Sequence, residues 1–433
     1  MCWLWIVMIF SSLYLLADAS RSSRNTKNET VTSNEPKLIF AHVIFRHGDR
    51  NPLSTYASDP KSNWPGGLGA LTNLGIEQEY ELGKYLRRRY ASLLGDGHYS
   101  NDNVYVQSTD VDRTLMSAAA NLAGLFPPDD NQVWNRDINW RPIPIHSIPL
   151  DLDYVLYVGK PCPRYDHAME EYLNSSEHAN LIAKYKEMFT YLEENSGVQI
   201  RTFDDAQLLY NTLWIENQKN KGLPLWAEEE FLEKSDFEWV ANHYFQIPTN
   251  TSLLARLSNG FFIREILEHF EQKINGSLSP NRSLFLYSAH DSTIANVLNS
   301  LGLFDPHNPP YASSVYFELY QSNDEYYMQI VYRNTSDENP LPLEIPNCGT
   351  KCTLKQFKSI YSAIIPTETF EEECQLPLYL RILEGNDIIV SYQWVIVMIC
   401  IVCLMPFVAV ISWKLLSRNR GNIVMENDNL KYL

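Results

Sequence analysis

Residues 37–52, KLIFAHVIFRHGDRNP, decide the fold of this chain, because a short apolar run ends directly in a cluster of polar residues. Residues 37–45 have the continuous apolar character of a central strand that is buried on both faces of a sheet. Gly48 predicts a sharp turn of the backbone beside His47. The junction therefore predicts a buried strand whose carboxyl end leads into a loop with these polar side chains: Arg46, His47, Asp49 and Arg50.

The same order of strand, polar cluster and helix occurs twice more along the chain. The strands are predicted at residues 104–109 and 284–289, and the helices that follow them at 114–125 and about 292–301. Arg113 lies in the first junction, and the pair His290 and Asp291 lies in the second. Because open α/β sheets place their ligand sites at the carboxyl ends of the strands, the three polar clusters are expected to meet.

Three further segments complete the prediction of an α/β fold. Residues 72–90 predict an amphipathic helix with Thr72 as its N-cap, and residues 314–320 and 326–333 predict a β-hairpin. Residues 164–275 have helical periodicity and little strand character, which predicts an inserted α-helical cap. The predicted fold is a three-layer sandwich with a central mixed, mostly parallel sheet flanked by helices, together with the cap and a C-terminal transmembrane helix.

Both ends of the chain carry signals for membrane insertion. Residues 1–19 contain a short apolar run that ends in Ala-Asp-Ala, which predicts a cleaved signal peptide, with a retained anchor as the alternative. Residues 20–36 are a polar spacer. Residues 388–413 carry no charge and can span a bilayer, and basic residues follow them, so the tail at 414–433 is expected in the cytosol. The domain at 37–386 would be lumenal or extracellular in a single-pass type I protein.

Glycosylation sequons and cysteines agree with a lumenal domain. The sequons are at Asn28, Asn174, Asn250, Asn275, Asn281 and Asn334. The cysteines within the predicted domain allow two disulfides in an oxidising compartment: Cys162, Cys348, Cys352 and Cys374. A zinc site at Cys348 and Cys352 is the competing interpretation, but no histidine cluster accompanies them. The sequence therefore predicts no metal site and no cofactor.

The charge balance limits the class of ligand. The chain has 433 residues with 35 Lys and Arg against 52 Asp and Glu, which gives a formal charge of −17. This charge argues against a non-specific nucleic-acid binder, and an anionic substrate would need a local cationic site. The strand ends supply a local cationic site that suits phosphoryl transfer. Three arginines can neutralise the charge of the transferring group, His47 can attack it, and Asp291 can protonate the leaving group. Asp49 is an alternative acid.

These motifs resemble the histidine acid phosphatases of branch two of the histidine phosphatase superfamily, and within them the lysosomal and prostatic types. Residues 46–52 match the RHGxRxP motif, and residues 71–75, 108–114, 126–128, 287–291 and 310–313 match family segments in family order. The resemblance implies that His47 is a phosphohistidine nucleophile and Asp291 the general acid. It also implies a set of residues that bind the phosphate: Arg46, Arg50, Arg113 and His290.

The resemblance further implies a metal-independent acid phosphatase acting on small-molecule or protein phosphate monoesters, and it suggests a homodimer. It implies disulfides between Cys162 and Cys374 and between Cys348 and Cys352. A further family disulfide has no counterpart, because Ile215 and Ser314 stand near the positions of its cysteines. A lysosome or another acidic endomembrane compartment is expected, with the cell surface as the alternative. The open rivals are a catalytically silent receptor, a phytase-like enzyme and a lipid phosphate phosphatase.

Overall fold

A computed structural model describes residues 35–57, 59, 63–227, 232, 235–334, 339–383 and 388–429. The predicted signal peptide, nearly all of the polar spacer and the sequon at Asn28 lie outside these residues. In the final described segment, residues 388–429, side chains are described from residue 394 to residue 416 and the rest by backbone alone.

The centre of the molecule is a six-stranded sheet in the order β3-β2-β4-β1-β5-β6. Four neighbouring strands are parallel, and β5 and β6 add an antiparallel hairpin beside β1, so the prediction of a mixed, mostly parallel sheet is confirmed. The strands are β1 (Lys37–Arg46), β2 (Val104–Thr109), β3 (His146–Ile148), β4 (Leu284–Ala289), β5 (Ser314–Ser322) and β6 (Glu325–Arg333).

The register of the sheet brings the three polar clusters to one edge. Arg46 at the end of β1 is opposite Ala289 at the end of β4, and Ser108 near the end of β2 is opposite Ser288 of β4. The residues that follow these strands therefore emerge side by side. β3 was not predicted from the sequence, because its three partly exposed residues at the edge of the sheet are too short to show a strand pattern.

Helices cover both faces of the sheet and form the cap. They are α1 (Asn73–Arg89), α2 (Ala91–Leu94), α3 (Asp112–Leu125), α4 (Pro163–Leu173), α5 (Ser176–Lys184), α6 (Lys186–Ser196), α7 (Phe203–Gln218), α8 (Asp236–His243), α9 (Ser252–Ile274), α10 (Asp291–Ser300), α11 (Leu354–Ile360), α12 (Phe370–Glu373), α13 (Leu378–Leu383) and α14 (Ile388–Asn429). A 3₁₀ helix, Tyr244–Thr249, joins α8 to α9.

Alternate residues of β1 belong to different hydrophobic cores, which explains why its sequence is apolar throughout. Val43 packs in a core with side chains of α1 and α3, such as Leu86. Ile44 packs in the core on the opposite face, with side chains of α9 and α10, such as Leu267. Two helical layers therefore enclose the sheet, and the predicted three-layer sandwich is confirmed.

The cap has its own hydrophobic core, built mainly from α4 to α8. The cap is shorter than the predicted range of 164–275, because α9 belongs to two cores. Leu254 in its first turn packs in the cap, whereas Phe262 and Phe270 pack against the sheet. Most of α9 is therefore a layer of the sandwich, and the cap ends near the beginning of this helix.

Two disulfides join the described cysteines of the domain. Cys162, immediately before α4, pairs with Cys374 after α12, and Cys348 pairs with Cys352. These are the pairs that the family resemblance implies, and the zinc site weighed at Cys348 and Cys352 is wrong because both sulfurs are in a covalent bond. The first disulfide ties the beginning of the cap to the segment that follows the sheet.

The final helix contains a candidate membrane span. Residues Trp394–Leu416 of α14 have a mean hydropathy of 3.0 and are not buried against the rest of the protein. The helix continues past residue 413, where the transmembrane segment was expected to end, and reaches Asn429. Apart from Gly421, residues 414–429 contain no strong helix breaker, so the backbone hydrogen bonding of the span continues into the basic segment.

Candidate active site

The loop after β1 is fixed by hydrogen bonds to its neighbouring strands. The backbone N–H of His47 donates to the carbonyl of Ala289 at 3.0 Å, and that of Arg46 donates to the carbonyl of Ser313 at 2.9 Å. His47 therefore emerges between the end of β4 and the beginning of β5. This position places its imidazole beside the residues that follow β4.

Two glycines allow this loop to lie against the beginning of α1. A Cβ on Gly48 would lie 2.2 Å from the carbonyl oxygen of Gly75, and a Cβ on Gly75 would lie 2.2 Å from that of Asp49. Gly48 does not adopt a positive φ, so the expected sharp turn is not the reason for glycine here. Close backbone approach is the reason. Thr72 caps α1 as predicted, since its side chain accepts from the backbone N–H of Gly75 at 3.2 Å.

The imidazole of His47 is buried and has one ring nitrogen engaged. Nδ1 lies 2.8 Å from the carbonyl oxygen of Gly48, which can only accept, so Nδ1 carries the proton of the neutral ring. Nε2 is then the nitrogen with a free electron pair. Burial lowers the pKa of His47, and the neighbouring arginines and His290 lower it further, so the ring remains neutral at acidic pH.

Arg46 and Arg50 flank His47 and are both 2% exposed. Arg46 Nη2 forms an ion pair with Asp291 Oδ2 at 2.7 Å, and its Nη1 donates to the carbonyl of Pro309. Arg50 Nη1 donates at 3.1 Å to Asn211 Oδ1 of the cap helix α7. One arginine is therefore held by the core domain and the other by the cap.

Arg113, in the first turn of α3, approaches His290 at the end of β4. Arg113 Nη2 lies 3.2 Å from His290 Nδ1, and His290 Nε2 lies 3.0 Å from Thr109 Oγ1. Burial, followed by the charge of Arg50, lowers the pKa of Arg113 to about 10. Burial and the charge of Arg113 lower the pKa of His290 to about 3. Arg113 is therefore charged and His290 neutral at mildly acidic pH.

Asp291 begins α10, and its carboxylate accepts from the backbone N–H of Ser292 at 2.7 Å. Burial raises the pKa of Asp291, but the positive charges of Arg46 and Arg50 outweigh burial and hold this pKa below its ordinary value. With nothing bound, Asp291 is therefore ionised across most of the acidic range. A proton on this carboxyl requires that another anion compensate the arginines.

A cavity of about 280 Å³ lies between the sheet edge and the cap. Five of the six predicted site residues line it: His47, Arg50, Arg113, His290 and Asp291. Arg46 lines a neighbouring cavity and borders this one through its ion pair with Asp291. The structure therefore brings together the residues that the three strand ends predicted.

The cap side of the cavity contains residues that the sequence analysis did not identify. Asp204 and Gln207 of α7 and Tyr244 of the 3₁₀ helix line it together with Tyr157. Asp204, Gln207 and Asn211 have the spacing of one helix face, and this polar stripe on an otherwise buried helix is the signal that could have revealed them.

Asp49, the alternative acid, is engaged elsewhere. Its Oδ2 accepts from Lys219 Nζ at 2.6 Å and also from the hydroxyl of Thr72. Asp49 is not among the residues that line the catalytic cavity. Its contacts hold the loop after β1 against the beginning of α1 and the end of α7. The described residues contain no group of three or more His, Cys, Asp or Glu side chains arranged to hold a metal ion.

Comparison with known proteins identifies the family. Residues 37–333 match the sequence model of the Histidine phosphatase superfamily (branch 2). Prostatic acid phosphatase of Homo sapiens is 38% identical over 346 residues, covering 78% of this chain and 88% of that protein. Lysosomal acid phosphatase of Xenopus laevis is 38% identical over 352 residues, covering 79% and 80%. The solved apo phytase of Hafnia alvei has a TM-score of 0.59 at 18% identity, covering 80% of this chain and 100% of that one, which shows a shared fold. The chain therefore belongs to branch 2 of the histidine phosphatase superfamily and is a phosphomonoester hydrolase of the acid phosphatase type.

Proposed function

We propose that this protein hydrolyses phosphate monoesters at acidic pH through a phosphohistidine intermediate on His47. Asp291 is the proton donor, and the phosphate group is bound by Arg46, Arg50, Arg113 and His290. The observation that carries the proposal is the hydrogen bond from His47 Nδ1 to the carbonyl of Gly48, which leaves Nε2 unprotonated in a cavity lined by cations.

In the first step, the electron pair of His47 Nε2 forms a bond to phosphorus while the bond from phosphorus to the ester oxygen breaks. The arginines neutralise the charge on the phosphoryl oxygens. The departing oxygen takes a proton from Asp291 and leaves as a neutral alcohol.

In the second step, water attacks the phosphohistidine and gives its proton to the Asp291 carboxylate. The bond from nitrogen to phosphorus breaks, its electron pair returns to His47, and orthophosphate is released. Asp291 thus acts first as an acid and then as a base, and neither step needs a redox partner.

The proton on Asp291 is expected to arrive with the substrate. The arginines keep this carboxyl ionised in the free site, whereas a bound phosphate group compensates their charge. Below a pH of about 6, a phosphate monoester is mostly a monoanion that carries a proton. An acidic optimum therefore follows from the ionisation of the ester, which delivers the proton that the leaving group needs.

The cavity favours esters with a single phosphate group over inositol polyphosphates. Among the described residues that line it, the guanidiniums are those of Arg50 and Arg113. The cap side is formed by Asp204, by the uncharged polar side chains of Gln207 and Tyr244, and by apolar side chains. Further phosphate groups on a substrate would face a carboxylate rather than cations. Small-molecule or protein phosphate monoesters are therefore the proposed substrates.

The test uses the full-length protein in detergent. Phosphate release from an aryl phosphate is measured across acidic and neutral pH, with and without a chelator, and the phosphoenzyme is trapped with labelled substrate. We expect activity below neutrality that the chelator does not remove, and label on His47. A folded protein that binds phosphate but hydrolyses no ester would favour the silent receptor.

We further propose a type I topology with a cleaved signal at 1–19, a spacer at 20–36, a lumenal domain at 37–386, a span at 388–413 and a cytosolic tail at 414–433. The asparagines of the other five sequons lie within the described residues and are exposed, which supports their glycosylation: Asn174, Asn250, Asn275, Asn281 and Asn334. A lysosome or another acidic compartment is proposed, with the cell surface as the alternative. Staining of intact cells by an antibody to the tail would contradict this orientation.

A homodimer is supported by one surface of the domain. β3 is an edge strand, and the preceding loop exposes 56% of Trp134 and 41% of Trp140. Exposed aromatic residues beside an open strand edge favour pairing with a second copy. Light scattering of the full-length protein should give the mass of two chains, and Trp140→Asp should reduce it to one.

A further inference from the structure

Two helices hold three consecutive peptide groups of the loop after β1. The backbone N–H of Gly48 donates to Ser117 Oγ of α3 at 3.2 Å, and that of Asp49 donates to Gln78 Oε1 of α1 at 2.8 Å. The carbonyl of Asp49 accepts from the backbone N–H of Thr72, the N-cap of α1, at 2.9 Å. The conformation of this loop therefore depends on contacts with α1 and α3.

The peptide group between Gly48 and Asp49 makes contacts on two opposite sides. Its N–H donates to Gln78, and its carbonyl oxygen accepts from His47 Nδ1 at 2.8 Å. This peptide group is trans and planar, so its N–H and its C=O point in opposite directions. The contact with Gln78 therefore directs the Gly48 carbonyl towards the imidazole of His47.

This peptide group needs such a contact because it follows a glycine. The close approach of Gly48 to Gly75 excludes a side chain at position 48, and a residue without a Cβ restricts the rotation of the next peptide group only weakly. A reversal of that peptide group would turn the carbonyl away from His47 and leave Nδ1 without its acceptor. The neutral ring could then carry its hydrogen on Nε2, and a protonated Nε2 has no free electron pair.

We propose that Gln78 is a positioning residue that directs the Gly48 carbonyl towards His47 Nδ1 and so keeps Nε2 unprotonated for the attack on phosphorus. Gln78 acts through the backbone, because it is not among the residues that line the catalytic cavity. The inference rests on the proposed role of His47 as the nucleophile. It assigns a function to a half-buried side chain of α1 that the sequence analysis did not identify.

Binding of phosphate and attack by His47 should respond differently to the loss of Gln78. Only rings with a free electron pair on Nε2 can attack, so the rate constant of phosphoenzyme formation at saturating substrate should fall. The side chains proposed to bind the phosphate make their contacts without Gln78, so an uncharged replacement should leave the Kd of orthophosphate unchanged. Gln78 lines a neighbouring cavity together with Arg46, so charged replacements are compared by the rate constant alone.

The test measures phosphoenzyme formation from a saturating aryl phosphate by rapid quenching, on the full-length protein in detergent. Gln78→Leu removes the acceptor and should lower the rate constant about fivefold, as expected for one neutral hydrogen bond. Gln78→Glu can only accept from the Asp49 N–H, and its rate constant should stay within about twofold of the wild type. Gln78→Lys can only donate, which favours the reversed peptide group, and should be slower than Gln78→Leu.

Glu77→Leu is the matched control, because Glu77 is the exposed neighbour of Gln78 on the same helix. It should keep the wild-type rate constant. A merely structural role for Gln78 would lower the amplitude of the phosphoenzyme burst, which counts active molecules, and leave the rate constant unchanged.

A wild-type rate constant in Gln78→Leu, or a Gln78→Glu variant as slow as Gln78→Leu, would overturn the inference. If Gln78→Leu is not secreted, Gln78→Met keeps the length of the side chain and is judged by the same rate constant. Wild-type protein that forms no phosphohistidine would refute the proposed function instead.

Discussion

Replacement of Asp291 by alanine is expected to change how phosphate binding depends on pH. In the free site the charges of Arg46 and Arg50 outweigh burial and keep Asp291 ionised. A phosphate dianion would therefore bind beside a carboxylate. The wild-type protein must bind the monoanion or take up a proton with the dianion, whereas Asp291→Ala has no carboxylate to neutralise.

The geometry sets the size of the effect. Asp291 Oδ2 lies 2.7 Å from Arg46 Nη2, so a phosphate oxygen on the same guanidinium would lie about 4 Å from the carboxylate. Two unit charges at about 4 Å repel each other by roughly 4 kcal/mol at an effective dielectric constant of about 20. Protonation one pH unit above a pKa costs about 1.4 kcal/mol, which is less than this repulsion. The complex is therefore more stable when it takes up a proton than when it holds both charges. The wild-type Kd should then rise about tenfold per pH unit above the second ionisation of phosphate.

Three other groups of the site, His47, His290 and Arg113, each keep one protonation state at neutral and mildly alkaline pH. Burial and the arginines lower the pKa values of His47 and His290, so both rings are neutral above pH 6.5. Arg113, with a pKa of about 10, stays charged at neutral and mildly alkaline pH. The proton that wild-type protein takes up is therefore shared between the phosphate and Asp291.

The assay is the Kd of orthophosphate between pH 5 and about pH 8.5 for wild type, Asp291→Ala and Asp291→Asn. For both variants, the Kd should rise much less steeply with pH above the second ionisation of phosphate than it does for the wild type. Asp49→Asn is the matched control, because Asp49 is a second carboxylate of the site region that is paired with Lys219. It should keep the wild-type slope. Parallel curves for wild type and Asp291→Ala would refute the assignment of the proton to Asp291.

Three further results are expected. His47→Ala should abolish the phosphoenzyme and the turnover of alkyl and aryl esters alike. In single-turnover assays, Asp291→Ala should slow the hydrolysis of an alkyl ester by about 10²–10⁴-fold, and that of an aryl ester with an acidic phenol by less. The pKa of His47 is lowered from its ordinary value of 6.5, so kcat/KM for the wild type should not fall as pH drops from 6.5 to 5. A fall with its midpoint at pH 6.5 would show that His47 titrates normally. Removal of the disulfide Cys162–Cys374, which joins residues 212 apart, should lower the free energy of unfolding in urea by about 5 kcal/mol. Removal of Cys348–Cys352, with a separation of 4, should lower it by about 2 kcal/mol. Equal losses would contradict the idea that a disulfide acts by reducing the entropy of the unfolded chain.

The sheet and the convergence of the polar strand ends on one cavity could be predicted because buried strands and polar strand ends leave local patterns. The strand predicted at 37–45 is observed at Lys37–Arg46, and the helix predicted at 72–90 is observed at Asn73–Arg89. The extent of the cap could not be predicted in the same way. Buried residues occur all along α9, and the sequence does not tell which surface each of them meets.

The chemical state of the site residues could not be predicted, because their partners are distant in sequence. Asp49 was weighed as an acid, but its partner Lys219 is 170 residues away. The tautomer of His47 depends on the carbonyl of the very next residue, yet only the backbone conformation makes that carbonyl available. Motif spacing therefore identifies which residues meet, while tertiary contacts decide which of them carry a proton.

The cap helix α7 contacts both the loop after β1 and the substrate cavity. Asn211 accepts from Arg50, Glu216 accepts from Tyr56 at 2.9 Å, and Lys219 at the end of the helix pairs with Asp49. Asp204, near the beginning of the same helix, lines the cap side of the cavity. A shift of α7 that altered the fit of a leaving group would also move the anchor of Arg50. Substrate preference and phosphate affinity are therefore coupled through one helix, and changes in the cap should alter both together.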